Sequence, residues 1–186
     1  TNTTITNFLF DTTDAAKVDT VKNASSTAIY EIGTSNVGDL ALELKAGGST
    51  ANITLNGLDN VTPGNNATTA DVGAVSVVLA GGDAKTAVTV NLTSEGSNFD
   101  TGFANEVGVI TVNAGSTVNV TGTGDLVIAG LGNKGTIDAT SFTGKLSVAG
   151  KSAADATSVD TIKLGSGQSV VNFDATSSGN LDGAAV

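Results

Sequence analysis

An all-β fold, a right-handed parallel β-solenoid with a β-sandwich as the alternative, is predicted by three features of this sequence. The tetrapeptide Asp-Ala-Thr-Ser recurs at 138–141, 155–158 and 174–177, about 17 and then about 19 residues apart, and each copy leads into a leucine, Leu146, Leu164 or Leu181. Short apolar segments lie between the copies, and a unit of about 18 residues with two such segments is what one solenoid coil needs to bury its apolar face against its neighbours. The composition agrees. With 28 Thr, 24 Gly, 17 Asn and one Pro in 186 residues, the chain is rich in strand formers and turn residues.

Taken in order, Phe8-Leu-Phe10 suits a first strand or a cap. Residues 11–23 read two ways: Asp14-Ala-Ala-Lys-Val as a helical turn behind an Asp cap, or Val18-Asp-Thr-Val as a strand. Ala28-Ile-Tyr-Glu-Ile is the next strand signal. In Leu40-Ala-Leu-Glu-Leu the leucines fall at period two, with Glu43 and Lys45 facing away. Ala51-Asn-Ile-Thr-Leu places Ile53 and Leu55 on one face and Asn52 and Thr54 on the other, before the Asn56-Gly57 turn. Residues 59–71, with Pro63-Gly-Asn-Asn, lack apolar periodicity and read as a surface loop. They mark the boundary between a less regular β region or cap at 1–70 and a solenoid segment at 71–186, unless the two form one continuous domain.

Strands then follow at 75–79 and 87–92, each next to a turn, and Ala46-Gly-Gly and Ala80-Gly-Gly read as related turn units. A second loop is expected at 94–103. From Val107 onward the apolar segments crowd together at 109–112, 117–121, 126–129, 136–138, 146–149, 162–164 and 170–173, mostly about nine residues apart, or half a coil.

Composition also narrows the function. The net charge is −10, and all eight cations are lysine, so no basic face exists to neutralise phosphates, and nucleic acid is not an expected partner. No apolar run approaches the roughly 18–20 residues of a membrane helix. The absence of cysteine excludes disulfides and thiolate chemistry. The chain also has no His and no Arg, no pair of acids is marked by its setting, and Gly122-Thr-Gly-Asp reads as a turn rather than a phosphate loop. An enzyme is not expected.

Three side-chain patterns remain. Asp138, Asp155 and Asp174 would repel one another by roughly 1 kcal/mol per neighbouring pair in water if stacked at coil pitch, so they form either a calcium-binding column or separate turns in which each carboxylate takes a nearby backbone N–H. Asn56, Asn91, Asn113 and Asn172, at strand ends, suit either a stacked amide ladder or solvated turns. Threonines such as Thr117, Thr121 and Thr123 resemble the rows of ice-binding solenoids, but no Thr-x-Thr pair recurs at the coil pitch, so they read as β-branched residues facing water. Asn-x-Ser/Thr sequons, among them Asn52, Asn91 and Asn119, occur seven times against about four by chance in so Ser/Thr-rich a chain, and glycosylation is not the expected reading.

Val118-Asn-Val-Thr-Gly-Thr-Gly-Asp-Leu-Val-Ile and Gly135-Thr-Ile-Asp-Ala-Thr-Ser-Phe-Thr-Gly-Lys-Leu-Ser-Val resemble the repetitive body of surface-layer proteins exported by Gram-negative bacteria through the type I route. Val159-Asp-Thr-Ile-Lys-Leu-Gly-Ser-Gly-Gln-Ser-Val-Val resembles one degenerate copy of their glycine-rich, calcium-binding nonapeptide (the RTX repeat). The resemblance covers about 107–182. It implies an extracellular, cell-surface location, calcium-stabilised β-rolls, and assembly with copies of the chain into a lattice, with a cell-surface polysaccharide or lipopolysaccharide as a further partner. It departs from the pattern where Gln168 follows Gly165-Ser-Gly167 in place of the ligating aspartate, so Asp160 or Asp174 would have to supply the charge. A segment of an adhesin stalk or a glycan-binding module is the alternative.

Overall fold

The computed structural model describes residues 5–10, 17–33, 36–57, 71–81, 86–96, 104–133, 135–149, 159–172 and 178–183. The chain forms two sheets and, among the described residues, no helix. Sheet A consists of β1 (Asn7–Phe10), β3 (Ile29–Ile32), β6 (Thr50–Asn56), β9 (Thr89–Glu95), β11 (Ser116–Gly122), β13 (Gly135–Asp138), β15 (Val159–Leu164) and β17 (Ser178–Gly183), hydrogen-bonded in that order. Sheet B runs through β2 (Val18–Ala24), β5 (Asp39–Leu44), β8 (Val75–Leu79), β10 (Asn105–Thr111), β12 (Leu126–Leu131), β14 (Leu146–Ala149) and β16 (Ser169–Asn172). The short β4 (Asn36–Val37) and β7 (Asp71–Val72) are attached to it through β10.

Every pairing is parallel. Parallel neighbours cannot be joined by a tight hairpin and need a crossover. Here the strand of the opposite sheet is that crossover, so the chain coils back and forth between two open, facing sheets. This is the solenoid, and a sandwich of antiparallel Greek keys would show the opposite ladders. Pairing also runs unbroken past residue 70, since β6 pairs with β9 and β5 with β8. Of residues 59–71, expected as a loop, 59–70 lie outside the described residues and Asp71 opens β7; residues 11–16, where a helical turn was one of two readings, also lie outside them. The strand reading holds at 18–21, which falls within β2.

Alternation builds the core. In β6 and β9 every second side chain is buried, and these residues stack in register from coil to coil. One column is Phe8, Tyr30, Ile53, Leu92 and Val120, and another is Ala51, Val90, Val118, Ile137 and Ile162. Leu40, Leu42, Leu44, Val75, Val77, Ile110 and Ile128 face them from sheet B, all essentially without exposure. Burying each such side chain contributes about 1.5–3 kcal/mol. Tyr30 is stacked on Phe8 with ring centroids 5.2 Å apart, and its hydroxyl donates to Ser25 O at 3.2 Å.

Coil length departs from the expected 18 or so residues. Successive in-register positions of sheet A from β6 to β15 are 39, 28, 19 and 25 residues apart. The sheets tolerate this because only the strands must match, and extra residues between coils cost little in closure entropy. The expected loop at 94–103 also begins later than the sequence suggests, because β9 continues to Glu95 and Ser94 is fully buried.

At one corner the coils stack on glycine. A β-carbon on Gly144 would lie 2.9 Å from both Gly124 O and Thr123 O, and one on Gly167 would collide with Gly144 O and lie 3.0 Å from Thr143 O. Backbone touches backbone there. Gly167 thus has a packing role within the segment that resembles a calcium nonapeptide.

Candidate functional site

The outer face of sheet A carries an ordered polar array. Thr50, Thr89, Thr117, Thr136 and Thr161 occupy one register column, and Thr54, Thr93 and Thr121 occupy another. Between them runs the column Asn52, Asn91, Asn119, Asp138, Lys163. Each of these positions is next to a core residue in a strand of period two, so each must face outward.

Two of the columns are hydrogen-bonded internally. Asn91 Nδ2 donates to Asn52 Oδ1 at 2.9 Å, and Asn119 Nδ2 to Asn91 Oδ1 at 3.0 Å. The first rung is anchored where Asn52 Nδ2 donates to the backbone carbonyls of Ser26, at 3.0 Å, and Ala28, at 3.2 Å. Thr93 Oγ1 and Thr121 Oγ1 are 3.1 Å apart. The expected amide ladder therefore exists, with Asn91 in it, but it runs through mid-strand Asn52 and Asn119. Asn56 instead donates to Glu31 Oε1 at 2.7 Å, and Asn113 to Thr86 O at 2.6 Å. The threonines recur as well. Their unequal spacing along the chain hides in sequence what the register aligns in space.

Asp138 closes β13, and its carboxylate is well supplied with donors. Thr140 N donates to Oδ1 at 3.2 Å, Thr140 Oγ1 to Oδ1 at 2.7 Å, and Lys163 Nζ to Oδ2 at 3.0 Å. Thr140's hydroxyl, aided by the Lys163 ammonium, holds the Asp138 carboxyl below its ordinary range against a modest opposing effect of burial. This is the turn geometry considered for the three aspartates. Asp138's partner in the next coil is Lys163, a cation, and not another aspartate. Asp155 and Asp174 lie outside the described residues. Asp160 sits in β15 opposite Gly179, and its side chain is outside the description.

Among the described residues no three carboxylates or other metal-ligating groups converge. Asp138 is paired with the Lys163 ammonium, and the Gly165–Gly167 turn is packed on backbone.

Beside the junction of Asn119 and Asp138 a concavity of about 330 Å³ opens on the outer face, lined by Asn91, Asn119, Val120, Thr121, Asp138, Thr140 and Ser141. Its polar groups are amides, hydroxyls and one carboxylate, beside a substantial apolar share.

A buried polar cluster that sequence reasoning missed lies behind the sheet. Asn105, fully buried, donates through Nδ2 to Ser94 Oγ at 2.9 Å, Glu95 O at 3.0 Å and Leu55 O at 3.4 Å, and its backbone N–H reaches Asp125 O at 3.0 Å. Asp125 Oδ1 accepts the Lys145 N–H at 2.7 Å. This network ties three successive coils together. It carries no substrate-facing group.

No family model matches the chain, and neither a curated protein nor a solved structure matches it.

Proposed function

We propose that this chain is a structural segment of an extracellular bacterial surface-layer protein, one that packs against copies of itself and has no catalytic role. The observation that carries this reading is the open stack. Both sheets end in strands whose outer edges are unpaired among the described residues, β1 and β2 at one end and β17 and β16 at the other. Such edges are templates for further strand pairing. Most of the exposed large apolar side chains among the described residues support the same reading, because they fall on the terminal coils: Ile5 at 58%, Leu9 at 56% and Val18 at 58% near the first, and Val170 at 58% on the last strand of sheet B, with Ile29 at 40% one strand further in on β3. The likeness of 118–128 and 135–148 to surface-layer repeats supports a cell-surface location. Calcium, where that likeness extends to it, would draw on Asp138, Asp155, Asp160 and Asp174. An adhesin stalk or glycan-binding module is the second reading, favoured by the polar array on sheet A.

Light scattering and thermal unfolding on one sample, with calcium and with chelator, test the proposal. Growth into large assemblies together with a higher melting temperature in calcium supports it. A steady monomer with an unchanged melting temperature contradicts it and favours the stalk or binding module.

A further inference from the structure

We propose that the concavity at the end of the amide ladder is a subsite for a neutral polysaccharide, bound through sugar hydroxyls; this stands independently of the surface-array reading. The argument begins with the direction of the ladder. Backbone carbonyls only accept, so the Asn52 atom bonded to Ser26 O and Ala28 O must be the amide nitrogen. Its Oδ1 then accepts from Asn91, and Asn91 Oδ1 accepts from Asn119. The polarity is thus fixed along the column, and Asn119 Oδ1 is left directed toward the next strand. The residue in register there is Asp138, another acceptor. Asp138 takes its protons from Thr140 and Lys163. Asn119 and Asp138 are thus in register with an acceptor each where the concavity opens.

A group that donates to Asn119 and Asp138 while accepting from the hydroxyl of Thr121 or Ser141 fits this lining, Thr140's hydroxyl proton being already given to Asp138. A sugar hydroxyl does both. Charge complementarity selects a neutral sugar. Lys163 already balances Asp138 at 3.0 Å, so the groove has no surplus cation for an acidic glycan and no second carboxylate for a divalent ion. About 330 Å³ is at the small end of ligand sites, enough for one or two sugar rings. The threonine columns flank the ladder, so a chain leaving the groove toward β9 and β6 meets a hydroxyl and an amide at each of those strands.

The test is an NMR titration of the ¹⁵N-labelled chain with maltohexaose and cellohexaose, soluble neutral glucans, and separately with calcium chloride. Saturable shifts of the Asn119 and Asn91 side-chain amides and of the Thr121 and Thr140 backbone amides, with a Kd of about 1 mM for either glucan, support the proposal. Asn119→Thr should then weaken binding about ten-fold, while Ser76→Ala on sheet B leaves it unchanged. If thermal unfolding shows that Asn119→Thr has lost its fold, Ser141→Ala, at an exposed turn, should still weaken binding roughly three-fold. No shift with either glucan up to about 20 mM overturns the proposal. So does an equal response on sheet B, or the same shifts produced by calcium alone.

Discussion

Replacing Asn105 by alanine is expected to destabilise the chain by about 3 kcal/mol, although nothing in the local sequence marks this residue. Asn105 is fully buried, and its amide has two N–H donors shared among Ser94 Oγ, Glu95 O and Leu55 O at 2.9, 3.0 and 3.4 Å. Two net hydrogen bonds at about 1 kcal/mol each are lost, and acceptors left buried without a partner add roughly 1 kcal/mol or more. The vacated amide volume adds a smaller cavity cost. Urea unfolding reads the effect as a lower midpoint at constant m-value. Thermal unfolding should show a fall of about 6–12 °C for a chain of this size. Asn105→Asp should be worse than alanine, because it places a carboxylate against three oxygen acceptors. A loss below about 1 kcal/mol for alanine, or an aspartate milder than alanine, would refute the reasoning.

Other substitutions probe the rest of the stack. Gly167→Ala should cost about 1–3 kcal/mol or more, because its β-carbon meets the unyielding backbone of Gly144 and Thr143. Gly47→Ala, with open space around it but φ at +79°, should cost only about 1–2 kcal/mol from strain, and urea midpoints rank the two. Asp138→Asn should cost about 0–1 kcal/mol at neutral pH, as expected for a partly exposed pair. Because the folded carboxyl is held low, its stabilisation is present above an unfolded value of about 3.9 and is lost as pH falls through the folded value. The variant should therefore show a shallower acid limb in stability against pH. Tyr30→Phe keeps the stack on Phe8 and loses the bond to Ser25 O, for about 1 kcal/mol. Burial raises the Tyr30 phenol, so its contribution declines as pH rises from about 10 through the folded value. Ultraviolet titration should find the wild-type phenol ionising late, and the variant should lose that alkaline limb.

The strands were largely legible in the sequence and the way they stack was not. Period-two runs such as Leu40-Ala-Leu-Glu-Leu and Ala51-Asn-Ile-Thr-Leu identify β5 and β6 because a half-buried strand must alternate. Stacking depends on register, and register skips whatever lies between strands. The Asp-Ala-Thr-Ser copies suggested one pitch and a column of aspartates, yet the register places Lys163 above Asp138. The polar face of sheet A had a signal that went unread. Thr-x-Asn-x-Thr occurs at 50–54, 89–93 and 117–121, with Thr-Ile-Asp-Ala-Thr at 136–140, and its trace was the cluster of sequons at Asn52, Asn91 and Asn119. Unequal intervals concealed it from a search at constant pitch. Asn105 had no such signal. It follows a polar stretch without periodicity, and only the fold shows that its amide is enclosed.

The most direct test of the account is whether these distant segments are neighbours in parallel register. A NOESY spectrum of the ¹⁵N-labelled chain should link the side-chain amide of Asn91 to those of both Asn52 and Asn119, with no direct link from Asn52 to Asn119. The backbone contacts from Thr89 to Thr117 should follow the parallel pattern. Antiparallel contacts among these strands, or a ladder that links Asn52 directly to Asn119, would contradict the stack and the polar face built on it.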